Sequence, residues 1–250
     1  MLPASRLPAP PQAAPPTPGS PEKAAVRSMF DRIAPRYDLL NRLLSAGTDV
    51  RWRRACVDML GLEGPARILD VCTGTADLLA EALRRGGDRR GVGVDLSEAM
   101  LRRGSVKLVR RRLAERAVLA AGDAEALPFA SSCFDAAAVA FGIRNVGDPA
   151  AALAEIRRVL RPGGRLVVLE FSSPRGWLGG LYRRYFRGVL PRIGALVSGD
   201  AGAYAYLPAS VDRFPSPPAF AASMERAGFT AVTWRLLTGG IACLHRGDRG

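Results

Sequence analysis

Apolar positions along this chain change their spacing several times, and each change marks an element. Val26, Met29, Phe30 and Ile33 recur every three or four residues, which predicts a helix from Glu22 that Pro35 interrupts and that resumes to about Leu44. Gly47 ends that stretch, and Asp49 is placed to cap a further helix to about Leu60. Short continuous apolar runs follow: Arg67–Val71, Gly91–Asp95, Ala117–Ala121, Phe134–Phe141 and Arg165–Phe171. Bounded by turn formers, such runs suit strands buried on both faces. Helical patterns separate them: Ala76–Arg85, Ser97 to about Leu113, and a segment from Pro149 to Leu160 capped by Asp148. Arg161-Pro162-Gly163-Gly164 predicts a turn, Ser216–Ala227 a last helix, and Phe229–Leu237 and Ile241–His245 two closing strands. The alternation predicts an α/β fold: a doubly wound, mostly parallel seven-stranded sheet with helices on both faces and a helical N-terminal extension.

Residues 1–21 hold eight of the 19 prolines and predict a disordered, Pro-rich tail. Residues 22–250 then form one domain, in which 22–62 is a helical cap over the site and 177–215 an insertion facing substrate or membrane. In 177–198, Trp177, Leu178, Leu181, Tyr182, Tyr185, Phe186 and Val189 fall at helical spacing with Arg183, Arg184 and Arg187 between them. The net charge of +13 and pI near 10.8 would draw the chain to a polyanion, either nucleic acid or an anionic membrane surface. The plainer reading is that arginines are spread over solvated helix faces. Four cysteines without C-x-x-C spacing point to reduced apolar residues, and no metal site is expected. A single histidine, His245, argues against Ser-His-Asp and Cys-His chemistry. With no run of ~18 apolar residues and no secretory leader, a cytoplasmic place is expected.

The chemistry concentrates at strand ends. Cys72-Thr73-Gly74-Thr75 is a small-residue turn between strand and helix, which bares backbone N–H groups to a nucleotide-like ligand. Asp95 ends the second strand, 21 positions after Gly74, where a carboxylate can accept both hydroxyls of a ribose. Asp123-Ala124 follows the third strand, placed for an adenine amine. Ala140-Phe141-Gly142-Ile143-Arg144-Asn145 follows the fourth. One glycine replaces the three of a dinucleotide turn, and Asp70 and Asp77 suit a cationic or zwitterionic ligand better than a diphosphate. The cofactor expected is therefore S-adenosyl-L-methionine.

These residues resemble the ubiquinone/menaquinone-biosynthesis C-methyltransferases, within the class I adenosylmethionine-dependent methyltransferases of Rossmann-like fold. The likeness runs over about residues 23–246. Its most specific pieces read here as Phe30-Asp31-Arg32-Ile33-Ala34-Pro35-Arg36-Tyr37-Asp38 and Phe141-Gly142-Ile143-Arg144-Asn145. The resemblance implies methyl transfer to a ring carbon of a polyprenylated quinol, demethylmenaquinol becoming menaquinol. The ubiquinone-pathway benzoquinol methylase is the alternative, although the Cys-Thr-Gly-Thr-Ala-Asp form looks more like the menaquinone-making members. Thr75, Asp95, Asp123 and Ala124 carry over as cofactor contacts, with Gly74 and Asp70 in the turn itself. Arg144 is expected to stabilise a developing oxyanion, and Tyr37 and Asn145 to orient the quinol or a water. The structural alternatives are a salt bridge for Arg144 and a packing aromatic for Tyr37.

A polyprenylated substrate implies transient contact with an anionic membrane surface, peripheral at its inner face, through the amphipathic 177–190 stretch. Homo-oligomerisation is left open. A basic nucleic-acid-binding or RNA-modifying protein is the rival from another class, and no nucleic acid is expected. An amino-directed methyltransferase would carry Asp/Asn-Pro-Pro-aromatic after the fourth strand, and a cytosine methyltransferase a motif-placed cysteine. Neither is present.

Overall fold

A computed structural model of the chain describes residues 21–45, 47–86, 88–174, 184, 188 and 201–250. The Pro-rich tail up to residue 20 and, apart from Arg184 and Gly188, the amphipathic 177–198 stretch lie outside them.

Three helices precede the sheet: α1 (Pro21–Ile33), α2 (Tyr37–Leu44) and α3 (Thr48–Leu60). Pro35 does interrupt the first pattern. It sits in a 3₁₀ turn, Ala34–Arg36, between α1 and α2, because proline cannot donate the amide that α-helix continuation needs. The expected capping role of Asp49 is corrected. The N-cap is Gly47, at φ +74° and without a side-chain cap. Asp49 lies inside the first turn, where its carboxylate accepts from Ser45 Oγ at 2.8 Å and pairs with Arg53 one turn later. An acid there still opposes the positive end of the helix dipole.

The β-α alternation then builds β1 (Arg67–Val71), α4 (Asp77–Arg84), β2 (Arg90–Asp95), α5 (Glu98–Arg110), β3 (Ala117–Ala121), β4 (Phe134–Ala140), α6 (Pro149–Val159) and β5 (Leu160–Phe171). It closes with α7 (Ala201–Arg213), α8 (Pro217–Arg226), β6 (Phe229–Leu237) and β7 (Ala242–Arg249). The sheet order is β3-β2-β1-β4-β5-β7-β6. β1 to β5 pair in parallel, while β7 runs antiparallel to both β5 and β6. The expected Arg161–Gly164 turn is absorbed as an irregularity in β5: Phe134 faces Leu160, and the pairing resumes only at Ala136 with Arg165. Gly163, at φ +75°, allows the detour, since a Cβ there would be strained.

Side chains alternate across the central strands, and each set meets its own helices. Leu69, Val71, Ala137, Val139, Leu166 and Val168 pack with Leu153 and Ile156 of α6 and Phe220 and Met224 of α8. On the other face Ile68, Ala136, Ala138, Val167 and Leu169 meet Trp52, Cys56 and Leu60 of α3 and Leu78 and Ala82 of α4. A further cluster joins Met29 and Ile33 of α1 to Met100 of α5 and Val211 of α7, so the N-terminal helix is anchored above the strand ends.

His245 lies inside this core on β7, away from those ends. Its Nε2 stands 3.0 Å from the Pro217 carbonyl, and Nδ1 is buried without a partner. Burial pulls the imidazole from an ordinary 6.5 down to about 4. The unfolded chain therefore binds a proton that the folded chain refuses, and the folded state loses stability as pH falls from about 6.5 towards 4. Between pH 7 and 5 this loss amounts to about 2 kcal/mol. The unfolding free energy of His245→Gln should fall less over that interval than that of the natural chain, as measured by urea unfolding. Equal slopes would refute the assignment.

Candidate active site

β1 is flanked by β2 on one side and β4 on the other, so the strand order reverses there and the loops leaving β1 and β4 diverge into a crevice. A cleft of about 720 Å³, its open mouth included, occupies that place. Cys72 and Gly74 enter it from the β1 turn, Asp95 from the end of β2, and Gly122, Asp123 and Ala124 from beyond β3. Ala140 comes from the end of β4 and Phe141, Gly142 and Asn145 from beyond it, while Tyr37 and one face of α1 cover the cleft from above.

The turn is held in shape by two carboxylates with different tasks. Asp70, almost fully buried, accepts from Thr73 Oγ1 at 2.6 Å and from the Leu79 amide at 3.1 Å. Burial pushes it up to about 7, against the pull of those two hydrogen bonds. Asp70 lies behind the turn and does not line the cleft. Asp95 works from the front: Oδ2 accepts the Gly74 amide at 2.8 Å and Oδ1 the Ser97 amide at 2.9 Å. Burial raises its pKa while those backbone bonds pull it back. Each carboxylate oxygen has a second lone pair, so Asp95 remains an acceptor towards the cleft. Cys72 and Ala76 take left-handed backbone at φ +55° and +62°, which shows how sharply the chain turns.

Thr75 points away. Its hydroxyl donates to Asp38 Oδ1 at 2.6 Å and accepts from Lys107 Nζ at 2.8 Å. Lys107 also bridges Asp38 and Asp77 at 2.7 and 2.9 Å, and Arg111 reaches Asp77 at 3.2 Å. Asp77 is thus paired with cations and, although burial opposes it, ends below the ordinary carboxylate range. Asp70 and Asp77 do not present their charge to a ligand as expected: Asp70 ties the turn, and Asp77 clasps α4 to α5.

Asp123 accepts from Lys23 Nζ at 2.8 Å and from the Glu125 amide at 3.0 Å, and Ala124 beside it is buried. Tyr37 packs edge-on to Phe30, ring centroids 6.2 Å apart. Burial raises its phenol, while a hydrogen bond with Asn41 and the charges of Arg53 and Arg144 pull it down. Asn145 stands in the cleft wall with its Oδ1 3.2 Å from the Tyr206 hydroxyl.

Arg144 is brought near this group but faces beneath it. Nη1 donates to Glu170 Oε1 and to the Phe141 carbonyl, each at 2.6 Å, and Nε to Ser210 Oγ at 3.3 Å. Its guanidinium also lies over Phe171, 5.4 Å from the ring centre. Glu170 is fully buried and raised by that burial, which its bonds to Arg144 and the Phe171 amide offset. Arg144 makes the salt bridge that was its structural alternative.

Sequence reading missed the contribution of α1. Lys23, Val26, Arg27 and Phe30 all line the cleft, and their spacing of three, one and three along one helix face is the signal that would have placed them together. It named Gly142 only as part of the motif after β4 and gave it no role of its own. A Cβ there would collide with Cys72 Cβ and stand 3.1 Å from Sγ. Gly142→Ala should lower stability by about 1–3 kcal/mol and weaken ligand binding, because both colliding residues form the wall. A thermal melt and a titration with S-adenosylhomocysteine check this; an unchanged melt would show that the wall yields.

The cleft suits the expected cofactor. The carboxylates of Asp95 and Asp123 stand in it as acceptors beside apolar Val94, Leu96, Met100 and Ala124. The bare Gly74 backbone meets only Tyr37, 3.9 Å from where a Cβ would stand. Burial and the surrounding carboxylates raise the Cys72 thiol well above its ordinary value, which disfavours the nucleophilic thiolate. Among the described residues no cluster of ligating side chains could hold a metal ion, and no helix is long and apolar enough to cross a membrane.

This sheet order, with a single-glycine turn after β1 and acids at the ends of β2 and β3, defines a class I adenosylmethionine-dependent methyltransferase. The profile of the ubiE/COQ5 methyltransferase family matches residues 19–249. The chain belongs to that family, and is accordingly an S-adenosylmethionine-dependent C-methyltransferase. It is 52% identical to the demethylmenaquinone methyltransferase of Thermus thermophilus over 88% of this chain and 100% of that one. Against the ubiquinone/menaquinone biosynthesis C-methyltransferase UbiE of Syntrophotalea carbinolica it is 53% identical over 89% and 93%. Among solved structures, the [4+2]-cyclase SpnF superposes with a TM-score of 0.70 over 94% of this chain and 99% of that one, at 19% identity. It shares the fold alone.

Proposed function

We propose that this enzyme methylates a ring carbon of a polyprenylated naphthoquinol, converting demethylmenaquinol to menaquinol. The observation that carries the reading is that Tyr37 and Asn145, from the two most specific motifs, line the same cleft as Gly74, Asp95 and Asp123. The names of the relatives from Thermus thermophilus and Syntrophotalea carbinolica support it.

Asp95 would hold the ribose, Asp123 the adenine amine, and the Gly74 turn would face the amino-acid end of the cofactor. S-Adenosylmethionine supplies a methyl group on a cationic sulfur. The protein's share is to orient the ring for in-line approach and to favour the quinolate, which is the nucleophilic form. Tyr37 and Asn145 would grip the quinol oxygen. Arg144, neutralised on one side by Glu170, would act from beneath by placing positive charge under Tyr37 and the oxyanion. The core position of His245 leaves proton transfer to water or a carboxylate. Arg144→Gln should reduce turnover roughly tenfold, as the loss of one charge acting through the cleft floor implies, while adenosylmethionine binding is nearly kept. Natural turnover in that variant would exclude the role.

The net charge of +13 supports peripheral docking on an anionic membrane at the cytoplasmic face. Sedimentation with anionic liposomes at low salt tests this, and an unbound enzyme would refute it. For the substrate, purified enzyme is given labelled adenosylmethionine with demethylmenaquinol or the ubiquinone-pathway benzoquinol. Label in the naphthoquinol is expected. Label only in the benzoquinol would overturn the assignment.

A further inference from the structure

The cleft-facing stripe of α1 is tied at both ends to the loops that carry the cofactor acceptors. At one end Lys23 Nζ donates to Asp123 Oδ2 at 2.8 Å and to Glu125 Oε2 at 2.6 Å. Glu125 is itself held by the Asp148 amide on Oε1 at 2.9 Å. At the other end Ser97 Oγ donates to Asp31 Oδ1 at 2.6 Å, and Ser97 is the residue whose amide Asp95 accepts. Between these ties Val26 and Phe30 lie over the cleft. The seat of Lys23 is close-fitting, since a Cβ on Gly147 would stand 3.0 Å from Lys23 Cε and 3.1 Å from Glu125 Oε1. Burial would pull the ammonium down, but its hydrogen bonds to Asp123 and Glu125 and their charges hold it above the ordinary lysine value. The contacts are therefore ionic at neutral pH, and the three side chains are mostly enclosed, at 18%, 28% and 16% exposure.

We propose that Lys23 is a positioning residue for the cofactor: it orients Asp123 towards the adenine amine and latches α1 across the cleft, so that nucleoside release requires the Lys23 contacts to open. Asp123 can serve both partners because each carboxylate oxygen carries two lone pairs. A helix fastened to the β2 loop through Asp31 and to the β3 loop through Lys23 couples roof and acceptors, so a ligand that draws the acceptors in also seats the roof. The proposal rests on the adenosine placement given above.

The test uses S-adenosylhomocysteine and its deaminated analogue, in which a carbonyl replaces the adenine amine, in surface plasmon resonance on the full chain. Lys23→Met should release S-adenosylhomocysteine about tenfold faster, as loss of one charge-assisted contact implies, and its preference over the deaminated analogue should narrow. Lys23→Arg should restore most of both. Release at the natural rate in Lys23→Met, with Asp95→Ala weakened, overturns the latch. Faster release with full discrimination retained overturns the positioning role. If Asp95→Ala also binds normally, the adenosine placement falls and the latch with it. Should Lys23→Met fail to fold, Glu125→Gln loosens one arm of the seat and must shift release in the same direction.

Discussion

Asp95→Ala is expected to lower adenosylmethionine affinity at least ~100-fold, the largest binding effect of any single change in the cleft. Two losses combine. The carboxylate is the acceptor that ties the Gly74 amide at 2.8 Å and the Ser97 amide at 2.9 Å, so its removal frees the turn and the start of α5 together. It is also the acceptor proposed for the ribose hydroxyls. Hydrogen bonds to a charged group are each worth about 1.5–3 kcal/mol, and two of them reach the stated loss without any unfolding. Asp95→Asn separates the contributions: one oxygen is kept as an acceptor, so one tie survives while the charge is gone, and an intermediate affinity is expected. Isothermal titration measures both. An unchanged dissociation constant in Asp95→Ala would exclude the ribose role.

Glu170→Ala is expected to destabilise the fold by about 3–5 kcal/mol, because it leaves the Arg144 guanidinium buried without its counter-ion. Glu170 is fully buried, and Arg144, with a side chain only 7% exposed, donates to it at 2.6 Å. The remaining acceptors of Arg144, the Phe141 carbonyl and Ser210 Oγ, are neutral. A fall of roughly 10 °C in the melting midpoint follows for a domain of this size. Replacing both partners with leucine should recover much of that stability, since a buried ion pair is often no better than apolar packing. The double variant should nevertheless turn over as poorly as Arg144→Gln. That combination would separate the chemistry of Arg144 from its place in the fold, and a stable double variant with natural turnover would exclude any catalytic part for the pair.

Periodicity made most of the fold legible. Apolar runs of five to eight residues between turn formers could pack only as strands buried on both sides, and the 3.6-residue stripes between them only as covering helices. Hydrogen-bonding rules also located Asp148 as a cap, and it accepts two amides of its own first turn. Asp49 was misread because a polar residue after a glycine looks the same in sequence whether it caps a helix or lies one position inside it. The chain likewise showed which carboxylates end strands β2 and β3, and hence that Asp95 and Asp123 share an edge.

Direction was what sequence could not supply. Asp70 and Asp95 both follow apolar residues at strand ends, yet one is turned behind the loop and the other towards the cleft: Asp70 pairs with Gly93, so Asp95 stands two residues nearer the C-terminal edge, past the fold of the Gly74 turn. Thr75 and Asp77 follow the glycine turn and look like ligand contacts, but Lys107, 32 and 30 positions later, draws them into the cluster that ties α2 and α4 to α5. Arg144 looked free to meet a substrate until β5 brought Glu170 against it. In each case the deciding partner is remote in the chain, and only folding makes the pair. The residues by themselves determined an adenosylmethionine-type cradle at the strand ends. The tertiary structure decided which acids face it, and brought Lys23, from a helix before the first strand, into contact with one of them.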